Sequence, residues 1–323
     1  MKLKISILFV FFLMLCSCNN KSKVEKAVEQ MPLDMKVIRF ENDFFAATPS
    51  TLTTLKTQYP FFFPQEVPDK VWLDKISDPQ WRELFTEVEA KYKTFEPQKS
   101  EIETLFKHIK VYFPDVVEPK IYTIIGEMDP SAKAIYANDK LIIALELYLG
   151  SEHRFYQDFP KYIKQNFQSN QMLPDIVASF GEQIVPAPAD KTLLSQLIYF
   201  GKQHYLKKIL LPDTAEADLI GYTNEQEQWC NENESYMWQY FIEKKLLFST
   251  DPHLQTQFIN VAPFSKFYLE IDNESPGKVG QWIGFQIVKS YMENNKSSIN
   301  QLLKTNSKTI FELSKYKPKK NEH

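Results

Sequence analysis

Three of the chain's eight glycines, Gly277, Gly280 and Gly284, fall within one short stretch of the segment SPGKVGQWIGFQIVKSY, Ser275 to Tyr291. A glycine inside a helix costs about 1 kcal/mol relative to alanine, so three together need a compensating reason. Ser275 and Pro276 read as an N-cap and a first helical residue, which predicts a helix over 276–294. At about 100° per residue the three glycines share a narrow wedge with Ile287 and Tyr291. The result is a trough, beside Trp282, in which a second backbone can lie close. A dinucleotide loop is the rival reading, but it needs a preceding strand and a βαβ unit, and a P-loop needs Gly-Lys-Ser/Thr. Neither pattern occurs, which leaves an anion at Gly277 as the ligand alternative to packing.

The amino terminus sets the expected location. Lys2 and Lys4 precede the apolar run ISILFVFFLML, Ile5 to Leu15. At about 1.5 Å per residue this run is too short to span about 30 Å of hydrocarbon, so residues 1–17 read as a signal peptide. Leu15-Cys16-Ser17-Cys18 resembles a bacterial lipobox, with Cys18 acylated and first in the mature chain. The polar stretch 18–31 reads as a lipidated start and flexible stalk, 32–316 as one globular domain, and 317–323 as a polar tail. Asn19 and the lack of an acidic run after Cys18 favour the periplasmic face of the outer membrane.

The formal net charge is −3, with no basic stripe, which argues against nucleic acid as a partner. Beyond Cys16 and Cys18 the sole cysteine is Cys230, which reads as a packing residue on one face with Met237 and Phe241. KVIRF, KIYTIIG, KAIYA and KLIIALELYLG carry the branched and aromatic residues of strands. The last three predict a small antiparallel meander. Asp78-Pro79 opens one helix, and Ser100 with Glu103 reads as a capping box ahead of Ile102, Leu105, Phe106 and Ile109. After Pro160 the pattern is helical, approximately over 173–185, 192–210, 214–221, 224–247, 251–259, 276–294 and 298–306. The fold class expected is α+β: a mostly helical single domain around a small antiparallel sheet.

Candidate chemistry is sparse. LEIDNES alternates Glu270, Asp272 and Glu274, which as a strand would turn three carboxylates to one side. A solvated strand face is the plain reading, and a calcium site the sharper one. No His-Glu-x-x-His, Cys-x-x-Cys or Gly-x-Ser-x-Gly is present. His153 and His204 with Glu182 are the remaining speculative metal set; no catalytic residue, metal or cofactor is assigned. In YPFFFP, Phe61, Phe62 and Phe63 either dock into their own domain or form an apolar tip for a partner.

IRFENDFF, YPFFFP, LELYLG, MLPDIVASFGEQIVP and APFSKFYLEIDNESPGKVGQWIGFQIVKSYMENN resemble, in order and over almost the whole chain, the gliding-motility lipoprotein GldB family. That resemblance implies a lipid-anchored, non-catalytic component of the gliding machinery and its associated secretion system, working through protein contact. A weaker resemblance is to predicted zinc proteases with His-Glu-x-x-His. Gly181-Glu182-Gln183-Ile184-Val185 keeps that motif's glutamate and lacks both histidines. It implies a zincin-like scaffold without metal, with Glu182 as a buried hydrogen-bonding group. The alternatives carried forward are an envelope metal-dependent hydrolase and a periplasmic small-molecule binder beside the glycine trough.

Overall fold

A computed structural model describes residues 22–319, Asn138 and Leu269 excepted. Residues 1–17, expected to form a signal peptide, and Cys18 lie outside these residues. Helix α1 (Lys23–Gln30) opens with a reciprocal Ser22–Glu25 capping box, packs on α6 and buries Val28. Its residues were expected in a stalk; the capping box and the single apolar anchor instead hold them as a helix on the domain.

Strand β1 (Val37–Arg39) leads into α2 (Phe40–Ala46), α3 (Leu52–Gln58), α4 (Asp69–Ser77), α5 (Pro79–Lys91) and α6 (Glu96–Tyr112). As expected, Asp78 caps α5, accepting from the N–H groups of Gln80 and Trp81. The Ser100 capping box does not form. Helix α6 starts a turn earlier, after Phe95 in the left-handed region, and Glu103 accepts from the Met35 N–H at 2.9 Å.

Strands β2 (Lys120–Ile124), β3 (Ala134–Ala137) and β4 (Lys140–Ala144) complete a four-stranded sheet in the order β1-β2-β4-β3. β1 and β2 are parallel, with Val37 opposite Ile121, and so are β2 and β4, with Ile121 opposite Leu141. Only β3 and β4 form an antiparallel pair. The sheet is therefore mixed and not an antiparallel meander. β3 folds back as a hairpin partner on the outer side of β4, leaving β2 to pair with β4 in parallel. Ile121, Tyr122 and Thr123 are consecutive buried residues of β2, the run expected of a strand covered on both faces.

The helical part comprises α7 (Lys161–Lys164), α8 (Met172–Ile184), α9 (Leu193–Leu210), α10 (Glu216–Ile220), α11 (Asn224–Glu232), α12 (Glu234–Glu243), α13 (His253–Phe258), α14 (Val279–Asn294), α15 (Ile299–Lys304) and α16 (Ser307–Ser314). The stretch 224–247 is two helices parted at Asn233, and α16 was not anticipated. α8 lies along the edge strand: the Tyr136 N–H donates to Ser179 Oγ at 2.9 Å, and Gln183 Nε2 donates to the Tyr136 carbonyl. Edge groups that could pair with another chain are thus occupied at that residue. α9 and α14 form the centre of the helical layer, with α8 and α16 packed on α9. In the expected tail the Lys319 N–H reaches Glu234 Oε2 at 3.3 Å, beside Tyr316 at the end of the domain, whose hydroxyl donates to Glu234 Oε1 at 2.7 Å. The whole is a mostly helical α+β domain.

Candidate functional site

The glycine trough is filled by backbone. A Cβ added at Gly284 would lie 1.9 Å from the Leu197 carbonyl oxygen, on α9. One added at Gly280 would meet the Phe258 carbonyl oxygen at 2.8 Å and Leu197 Cδ2 at 3.0 Å. Across the crossing, a Cβ at Gly201 would lie 2.2 Å from the Gly284 carbonyl oxygen. Two helices therefore meet through opposed glycines, and the expected pocket beside the trough is occupied by α9. Trp282 is buried in the same core. Gly201 was overlooked, although a glycine in the helical run LIYFGKQHYL carries the same signal as the other three.

The helix begins at Val279, later than expected. Lys278 is in the left-handed region at φ 62°, and Gly277 precedes the helix with its backbone against the Ala262 carbonyl; a Cβ there would be 2.2 Å away. Ser275 is not an N-cap. Its hydroxyl donates to the Ser265 carbonyl and accepts from the Ser265 N–H at 3.1 Å, which ties the two ends of a loop together. Within that loop LEIDNES is not a strand; Glu270–Glu274 is a 3-10 turn. Asp272 accepts from the N–H groups of Phe267 at 2.9 Å and Tyr268 at 2.8 Å, so its carboxylate holds the loop instead of facing outward for a cation. Glu274 is exposed. Tyr268, held at φ 60°, is 73% exposed at the turn. The longest sequence motif thus builds a pinned loop on top of the helix crossing.

Polar groups buried below that loop find single partners, His204 Nδ1 excepted. His204 Nε2 lies 2.9 Å from Gln281 Oε1, and Gln281 Nε2 donates to the Ile259 carbonyl at 2.7 Å. That pairing puts the ring proton on Nε2, and Nδ1 has no partner among the described residues. Burial, with Lys207 nearby, holds the His204 pKa down to about 3, so the ring is neutral. Lys207 donates to the Leu219 carbonyl at 3.0 Å and Lys278 to the Ile220 carbonyl at 2.8 Å. Both ammonium groups cap the carbonyl end of α10, where a cation is favoured. Burial lowers their pKa values to about 8 and about 7.

The speculative metal set is not assembled. His153 lies 3.7 Å from Glu87 and stacks on Phe155, while His204 is inside the α9–α14 crossing. Glu182 is exposed on α8, beside a hollow shared with Lys133 and Asp175, and is not the buried group expected. Among the described residues no group of three or more His, Cys, Asp or Glu side chains could hold a metal ion. Of the phenylalanines, Phe63 is buried against Trp72 and Phe62 lies tilted against Phe40, with centroids 4.3 Å apart. Phe61, 43% exposed, leans on Tyr122. Cys230, Met237 and Phe241 are all fully buried.

Residues 21–318 match the family described as gliding motility protein GldB. The chain belongs to that family. No curated protein and no solved structure matches it. Membership extends over the sheet, the helix crossing and the pinned loop alike. Among the described residues no helix is long and apolar enough to cross a membrane.

Proposed function

We propose that this member of the GldB family is a lipid-anchored, non-catalytic component of the gliding machinery. In this reading acylated Cys18 holds it on the periplasmic face of the outer membrane, and it acts through protein contact. The apolar leader ending at Cys18 supports the anchor, and the family description supports the process. The observation that carries the contact role is the loop of residues 260–278. Two buried serines and Asp272 fix its backbone, while Tyr268 stands exposed at a positive φ. Holding a bulky residue there costs of order 1–3 kcal/mol, a cost that a presented contact residue accounts for.

A photoreactive phenylalanine analogue at position 268 in gliding cells is expected to form a discrete adduct with an envelope protein. Tyr268→Ala is expected to abolish gliding while palmitate labelling and protein abundance stay at wild-type levels. Full gliding by that variant, with no adduct from position 268, would overturn the reading. Cys18→Ser tests the anchor separately through loss of palmitate label and of membrane sedimentation.

A further inference from the structure

A cavity of about 360 Å³ opens between α6, α8 and the turn after α9. Its volume lies at the lower end of the range of small-ligand sites. Leu105, Leu173, Leu210 and Leu211 supply apolar wall. His108, 6% exposed, lines it from α6. The ring's Nδ1 is 3.0 Å from the Thr104 carbonyl, which can only accept, so the neutral ring carries its proton on Nδ1. Nε2 is left as a lone-pair acceptor with no hydrogen-bond partner among the described residues. Glu101 and Asp213 stand exposed at the rim, and neither makes an ion pair or hydrogen bond among the described residues. No lysine or arginine lines the cavity.

We propose that this cavity binds an aliphatic ammonium group, carried by a free alkyl diamine or by a lysine side chain of a partner. The leucines cover a methylene chain, as apolar surfaces do for lysine stems. The His108 lone pair accepts an ammonium N–H, and the two free carboxylates supply the opposite charge that a cation needs when it leaves water. An anion would meet two carboxylates without a compensating cation, and a neutral alcohol would leave both carboxylates unused.

Calorimetric titration of the acylated protein in detergent distinguishes these ligands. The probes are 1,5-diaminopentane, N-acetyl-lysine N-methylamide, n-pentanol and hexanoate. Saturable binding is expected for the two amines, at least about tenfold tighter than for the alcohol or the acid. Glu101→Gln with Asp213→Asn, both on the surface, is expected to weaken amine binding about tenfold without changing the melting temperature. His108→Leu is expected to weaken it further. A tighter diamine points to a free amine as the source, and a tighter lysine derivative to a partner's side chain. Equal binding of all four probes, no binding of either amine, or amine affinity unaffected by the surface variants would overturn the proposal.

Discussion

Replacing Gly284 with alanine puts one methyl group where α9 already runs. The new Cβ would sit 1.9 Å from the Leu197 carbonyl oxygen, 2.5 Å from its carbon and 3.0 Å from its Cα. All three are backbone atoms and cannot rotate away, so the helices must part by about 1.5 Å to restore contact near 3.4–4 Å. Overpacking of this kind costs about 1–3 kcal/mol and occasionally more. Separation also thins the contacts of Trp282, Phe285, Ile287 and Val288, all buried on α14. Against this, alanine gains about 1 kcal/mol of helix propensity. With the thinned contacts counted, the net expectation is about 1–2 kcal/mol of destabilisation, a fall of roughly 2–8 °C in melting temperature. Gly201→Ala should cost a similar amount because its methyl would strike the Gly284 carbonyl from the other side. The double variant should cost less than the two together, since the first separation makes room for the second methyl. Gly181→Ala is the control: its Cβ would meet Leu206 at 3.5 Å, an ordinary contact, so it should be neutral or stabilising by up to about 1 kcal/mol. Thermal and urea melts of the four variants measure this directly. Wild-type melting of Gly284→Ala would refute the close-crossing argument.

Glu146 is fully buried, with Oε1 accepting from the Gly126 N–H at 3.0 Å and Oε2 without a hydrogen-bond partner among the described residues. Burial pushes its pKa up to about 7, against an ordinary 4.5. The folded state therefore holds a proton that the unfolded state has released, and this group's contribution to stability falls as pH rises from about 4.5 to about 7. Glu146→Gln should remove that slope, gaining roughly 3 kcal/mol more at pH 8 than at pH 4; equal wild-type and variant profiles in urea melts would contradict it. Burial also raises the Cys230 thiol's pKa far above its usual range. Iodoacetamide should leave the Cys230 peptide unmodified in the native protein and label it in urea, as read by mass spectrometry; native labelling would mean the α11–α12 packing opens.

Local signals in the sequence translate well where the chemistry is local. Asp78-Pro79 caps α5 as its residue types require, and the apolar stripe of 192–210 becomes α9 almost to the residue. The glycine wedge correctly predicts a close backbone. Its partner was not legible, because Gly201 lies far away in the chain and announces itself only as an isolated helix-interior glycine. Strand direction was hidden for a related reason. The runs of β2 and β4 are alike whether their neighbour runs with or against them, and the order β2-β4-β3 depends on a hairpin placed outside. The alternation in Glu270, Asp272 and Glu274 misled, since Asp272 is consumed by the Phe267 and Tyr268 N–H groups, which stops an extended strand from forming. Lys207 and Lys278 gave no signal at all; a lysine that caps a buried helix end looks in sequence like any surface lysine.

The crossing and the loop are mechanically one unit, which changes how variants of the motif are to be read. Gln281, on α14, donates to the Ile259 carbonyl, and the Val279 N–H reaches Ser265 Oγ at 3.4 Å. Gly277 rests on Ala262, and Gly280 on the Phe258 carbonyl at the end of α13. Any movement of α14 away from α9 is therefore transmitted to both ends of the loop that carries Tyr268. A gliding defect in Gly284→Ala would follow from displacement of that loop, without Gly284 touching a partner. The two causes separate by measurement. Gly284→Ala should lose gliding together with thermal stability, and cooling should restore part of the gliding. Tyr268→Ala removes an exposed ring whose hydroxyl only accepts from Gln257, so its stability should stay within about 0.5 kcal/mol of wild type. A gliding defect in Tyr268→Ala that tracks a comparable loss of stability would mean that the loop serves the fold and presents nothing.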